Sequence, residues 1–223
     1  LFHNPLDLFQ SNQLYPVKNS LALNYLPIPF LLIYSPAYLL FQNQVFATNI
    51  TLIAVFALCG FCFFVFFYRL TGIPWISFCA ACLFTFSPLR LPITQFRILG
   101  IFWTPLALLY LGNYLKSWKP KDLFLLTLCA VLQFLTSFQL GYLLSIAIGI
   151  YIIIMHPWKE LLHRRNLIYL ASAVVLFSGL VTPFLYPYWN FQKQYGFKRS
   201  ISGAIPLSAD PISSYLRGNQ SHF

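Results

Sequence analysis

Apolar residues along this chain gather into long runs divided by short polar breaks, and the length of each run is the first guide to the fold. Phe46 to Tyr68, "FATNITLIAVFALCGFCFFVFFY", is long enough to cross a hydrocarbon core, which takes roughly 20 residues of helix, and it closes on Arg69 and Gly72. Ile73 to Phe86 is shorter, so it must tilt, borrow its flanks or end inside protein. Ile98 to Leu115 runs to the basic stop "KSWKPKD", Leu123 to Thr136 and Leu140 to Met155 form a pair split at "SFQLG", and Leu167 to Pro187 is the last run. Leu26 to Phe41 is apolar too, but Pro27 and Pro29 deny it a clean first turn, which predicts a re-entrant or interfacial helix.

The pattern therefore predicts an all-α, polytopic membrane protein of about six transmembrane helices plus one partial insertion. Residues 1–187 form the transmembrane domain, with an outer leading loop at 1–25 and the re-entrant segment at 26–41. Residues 188–223 read as a polar, basic tail on the outer face and the start of a further segment. No internal period suggests a repeat array.

Composition agrees with this reading. Of 223 residues, 59% are hydrophobic and 8% charged, against about a quarter charged in soluble domains. Mean hydropathy is +0.70. The net charge of +10 would suggest nucleic acid in a soluble chain. Here the cations lie between spans, where lipid headgroups or an anionic lipid substrate are the better partners, and no nucleic-acid motif is present. The chain begins at Leu1 and Met155 is its only methionine, so it is expected to be an internal piece of a longer product; no secretory signal pattern opens it.

Orientation follows from Lys and Arg near the span ends. One side holds Arg69, then Lys116, Lys119 and Lys121, then Lys159, Arg164 and Arg165, all in short breaks. The other side's cations include Lys18 in the leading loop and Lys193, Lys198, Arg199 and Arg217 in the tail, long segments that count for less. The first side is taken as cytoplasmic. The leading loop, the break "SPLRLPITQFRILG", the Gln139 turn and the tail then share the outer face.

That break carries the most informative chemistry. Arg90 and Arg97 are costly near membrane depth, and a planar guanidinium can clamp a phosphate through two parallel hydrogen bonds. Thr94 and Gln95 add hydrogen-bonding capacity, and Pro88 and Pro92 fix the loop's shape. The plainer alternative is that both arginines reach to headgroups and only anchor span ends.

Cys59, Cys62, Cys79 and Cys82 have the spacing of a zinc site, yet each pair lies in an apolar, aromatic stretch with no turn to wrap a metal, which argues for packing instead. Expected carboxylates on the outer face are Asp7 and Asp210 alone. Glycosyl transfer commonly uses a carboxylate as general base, or a carboxylate-held divalent metal, so Asp7 is the leading-loop candidate; it reads more readily as a turn former after Asn4-Pro5, a routine place for Asp. The four histidines are scattered and form no triad.

Taken in order, "FQSNQLYP", "ATNITLIAVFALCGFCFFVFFYRLTG", "FTFSPLRLPITQFRILGIFWTPLALLYL" and "YGFKRSISGAIPLSADPISSYL" resemble the membrane part of bacterial GT-C-type glycosyltransferase-like proteins of the plasma membrane. The resemblance implies sugar transfer from a polyprenyl-phosphate-linked donor, with the catalytic acid on the first outer loop behind an initial membrane helix. That helix is missing here, so the expected acid lies upstream of Leu1, with Asp7 as a stand-in. Asn12, Tyr15 and Lys18 would then line the site, Arg90, Gln95 and Arg97 would face the same cavity, and Lys198 and Arg199 would approach from the tail. A non-catalytic membrane subunit bound to protein partners is the alternative from another class. A transporter is disfavoured, since no charged residue falls inside a predicted span.

Overall fold

The structure, a computed structural model, describes residues 27–87, 99–155 and 158–195. A single 3-10 turn, Ile28–Phe30, leads into α1 (Leu31–Phe41), and then follow α2 (Gln44–Thr71), α3 (Pro74–Thr85), α4 (Trp103–Ser117), α5 (Pro120–Thr136), α6 (Phe138–Met155), a single turn α7 (Trp158–Leu161) and α8 (Arg164–Tyr195). The described residues are helical with no strand among them. Among the described residues three helices are long and apolar enough to cross a membrane: α2, α6 and α8. In lipid this all-helical build is enforced, because helices satisfy every backbone group internally.

Local chemistry sets the helix ends. Asn43 caps α2, its Oδ1 accepting from the Phe46 N–H at 3.1 Å. Gly72 ends it at φ +70°, a left-handed conformation that costs glycine nothing. Pro29, Pro74 and Pro120 each stand in a first turn, where the missing N–H is harmless. Pro36 lies within α1, and Pro183 and Pro187 within α8, which continues past the predicted end of the last run to Tyr195.

Two clusters form the core. In the first, Val55, Cys59, Cys62 and Phe63 of α2 pack with Ala81 of α3 and with Phe30, Leu99 and Phe102. Ala47, Thr51, Val55, Cys59 and Cys62 make one narrow buried stripe at helical spacing, while Ile53, Phe61 and Leu70 point out to lipid. The small residues of that stripe allow close helix approach, the usual device where lipid removes the hydrophobic drive to associate. In the second cluster Ala107, Leu111 and Tyr114 of α4 meet Leu123, Leu126 and Cys129 of α5 and Leu144 of α6. α5 is the hub, packing along α4, α6 and α8.

The short apolar run after Gly72 resolves as a helix of 12 residues, about 18 Å long, beside an α2 of 28 residues and about 42 Å. α3 therefore stops partway. Its last turn lies against the middle of α2: Phe84 stacks on Phe63 at 3.7 Å between ring centroids, and Phe86 on Phe56 at 6.3 Å.

Candidate site at the α3–α4 break

The residues singled out from the sequence, Asp7, Asn12, Tyr15, Lys18, Arg90, Gln95, Arg97, Lys198 and Arg199, lie outside the described residues. What the structure gives is the frame that holds the segments carrying them. The far shoulder of the arginine-bearing break packs deep in the bundle, where Leu99 and Phe102 join the cluster around Val55 and Cys59; the near shoulder ends α3 beside the middle of α2, with Thr85 buried and Phe86 exposed.

The far shoulder is fixed by one side chain. Gln133 of α5 is fully buried; its Nε2 donates to the Gly100 carbonyl at 2.9 Å, and its Oε1 accepts from the Thr104 hydroxyl at 3.1 Å. A non-helical strand of backbone at this depth has carbonyls that no water reaches, and each left unpaired would cost about 1–3 kcal/mol. The carboxamide is suited to the task because it offers a donor and an acceptor together.

Gly100 is required for a second reason. A Cβ there would run into Thr136 Cγ2 on one side and the Phe30 ring on the other. Phe30 in turn stacks on Phe102, with centroids 6.2 Å apart. The end of the leading segment, the break and the C-terminus of α5 thus close on one point.

The α5–α6 turn and α8 complete that end of the bundle. Ser137 is buried, its N–H donating to the Gln133 carbonyl at 2.9 Å and its carbonyl accepting from the Gly141 N–H at 2.9 Å. Phe138 meets Tyr188 of α8 edge to face at 5.1 Å. The described ends of the four segments expected on one face, marked by Phe30, Gly100, Ser137 and Tyr188, therefore gather at one end. The intervening chemistry-bearing residues are not among those described.

Two buried polar atoms near the break lack partners among the described residues, the Thr85 hydroxyl and the Trp103 indole nitrogen. Thr85 departs from a local rule. Thr48, Thr51, Thr127 and Thr136 each return their hydroxyl hydrogen to the carbonyl four residues back. Thr85 Oγ1 instead faces the space above Gly60, 3.5 Å from where a Cβ would stand. Thr85 also borders a lipid-facing groove of about 1060 Å³ between α2 and α3, walled by Asn49, Phe56, Gly60, Phe64 and Phe86.

Among the described residues no group of three or more His, Cys, Asp and Glu side chains comes together. Cys59, Cys62 and Cys129 are buried in the helix packing, and Cys79 is exposed. The described carboxylates, Asp122 and Glu160, stand at the other end of the helices, where the Ser117 hydroxyl donates to Asp122 Oδ2 at 3.2 Å.

Sequence reasoning passed over Gln133, Thr104, Gly100 and Thr136. The signal was a lone glutamine in "LCAVLQFLT": a carboxamide in an apolar helix needs a partner, and the nearest unmet backbone was the break 33 residues away. Comparison with protein-family models, with curated proteins and with solved structures finds no match.

Proposed function

We propose that this chain is an integral membrane glycosyltransferase of GT-C type, moving a sugar from a polyprenyl-phosphate-linked donor on the non-cytoplasmic face of a bacterial plasma membrane. The observation that carries the reading is the depth of the two shoulders: the chain enters and leaves "PLRLPITQFR" beside the middle of α2, with Gly100 clamped by Gln133. Two arginines anchored only to headgroups would need no such frame. In this reading Arg90 and Arg97 clamp the donor phosphate, Gln95, Asn12, Tyr15 and Lys18 line the sugar and phosphate region, and Lys198 and Arg199 add charge from the tail. The α2–α3 groove, apolar and open to lipid beside Thr85, suits the polyprenyl chain. Asp7 stands in as general base for an acid expected further toward the N-terminus.

The test is donor turnover. The protein in liposomes, given a polyprenyl-phosphate-linked hexose, should release the sugar or pass it to an acceptor. Arg90→Ala/Arg97→Ala should lower the rate by about 100-fold or more, the scale of losing charge stabilisation at a departing phosphate. Equal rates in wild type and double variant would reject the role.

A second reading, a non-catalytic membrane subunit, is favoured by the aromatic face of α3, where Trp75 and Phe78 are exposed. Its mark would be a partner co-purifying at fixed stoichiometry with no donor turnover.

A further inference from the structure

The end of the bundle opposite the α3–α4 break gathers positive charge. Lys116 stands in the last turn of α4, Lys119 and Lys121 flank the start of α5, and Lys159, Arg164 and Arg165 bracket the passage from α7 into α8; all six are exposed. Asp122 and Glu160 are the carboxylates described beside them. These two basic breaks are neighbours. α5 packs along α8, Tyr169, one turn beyond Arg165, packs against the cluster that holds Tyr114, and the Arg165 charge reaches the Tyr114 phenol.

Three further features mark the junction. First, α5 and α8 both begin here, so their positive dipole ends point the same way; no side chain caps α5, whose first turn holds Pro120, which has no N–H, and Asp122, whose N–H donates to the Lys119 carbonyl at 3.1 Å, so the attraction there comes from Lys119 and Lys121. Second, one buried donor at the junction has no partner among the described residues, the hydroxyl of Tyr114, which is 1% exposed; Asn166, also buried, is held by its Nδ2 donating to the Glu160 carbonyl at 2.7 Å, and its Oδ1, an acceptor, offers an anion nothing. Third, Leu167 and Ile168 follow Arg164 and Arg165 after the buried Asn166 and are exposed, so the cations give way within one turn to a bare apolar surface.

We propose that this junction is a headgroup site for an anionic phospholipid. The phosphodiester lies between Arg164 and Arg165 on one side and the first turn of α5, with Lys119 and Lys121, on the other. The acyl chains run along Leu167 and Ile168. The apolar surface beside the charge is what selects a lipid over a free phosphate or an acidic protein, neither of which would use it. Trp118, edge-on to Tyr114 at 5.2 Å, stands where aromatic side chains favour the headgroup level. The proposal is independent of the transferase reading, since it uses none of the residues assigned to that reaction.

The full chain in detergent, titrated with phosphatidylglycerol, phosphatidylcholine or inorganic phosphate, provides the test, followed by thermal unfolding and by native mass spectrometry of retained lipid. Phosphatidylglycerol should raise Tm and remain bound, while phosphatidylcholine and inorganic phosphate should do neither. Arg164→Gln/Arg165→Gln should weaken phosphatidylglycerol retention about tenfold or more, as loss of two surface cations implies. Lys193→Gln, at the far end of α8, should leave retention unchanged. Should the arginine variant not fold, Lys119→Gln/Lys121→Gln gives the same reading. Equal protection by phosphatidylcholine, equal protection by inorganic phosphate, or full retention in both basic-site variants would each overturn the proposal.

Discussion

The two ends of this helical bundle handle polarity in opposite ways. Among the described residues around the α3–α4 break, the buried polar groups are neutral and, Thr85 and Trp103 apart, fitted to their neighbours: Gln133 bonds Gly100 and Thr104, and Gly100 lies against Thr136 and Phe30. At the other end stand ammonium and guanidinium groups held in the open, with apolar surface beside them. The difference teaches where each end's specificity resides. Buried neutral groups are worth most through their geometry, because an unmatched one cannot turn to water. Exposed cations act through field and are tolerant of position, so their effect fades with salt. Changes at the first end should therefore be sharp and local, and at the second graded and sensitive to ionic strength.

Gly100→Val should break this contrast most severely. Its side chain must displace Thr136 and Phe30 together, and overpacking of this kind costs about 1–3 kcal/mol before backbone shifts are counted, so thermal unfolding in detergent should show the largest fall of the set. Gln133→Leu comes next, leaving the Gly100 carbonyl and the Thr104 hydroxyl unmatched at about 1–3 kcal/mol. Gln133→Glu should recover part of that loss at low pH, where the neutral carboxyl can donate to Gly100 and accept from Thr104, and should lose it as pH rises and ionisation would place an unpaired charge in this buried site. Gly72→Ala, a turn test remote from both ends, should lower stability by about 1 kcal/mol through its left-handed backbone alone. Thr85→Val should be close to neutral or slightly stabilising, because the hydroxyl it deletes has no partner among the described residues. A marked loss for Thr85→Val would show that the hydroxyl serves a ligand or an unseen neighbour.

Much of the fold was legible because membrane helices announce themselves by run length. α2, α6 and α8 contain the apolar runs expected of them, and Pro27 and Pro29 correctly foretold a broken entry to α1, which begins as a 3-10 turn. The helices from Trp103 to Ser117 and from Pro120 to Thr136 start and stop within a few residues of the apolar runs, although neither is long and apolar enough to rank with those three. What periodicity could not convey was contact between distant breaks. Nothing in "LCAVLQFLT" names Gly100 as its partner, because the pairing depends on α5 folding back along α4 and on a glycine that Thr136 and the Phe30 ring together make obligatory. The candidate site was legible as a set of residue types, arginine, amide and aromatic, and its frame became visible only through packing.

The two prolines inside α8 have a mechanical consequence. Pro183 and Pro187 offer no N–H to the carbonyls of Gly179 and Pro183, so the last turns of that helix flex more cheaply than the rest. Tyr188 rides on this softened arm and touches Phe138 at the mouth of the α5–α6 turn. A bend there would move the Tyr188 ring against Phe138 while the remainder of the helix stays seated, so the seam between α8 and the α5–α6 turn is where such strain would be felt first.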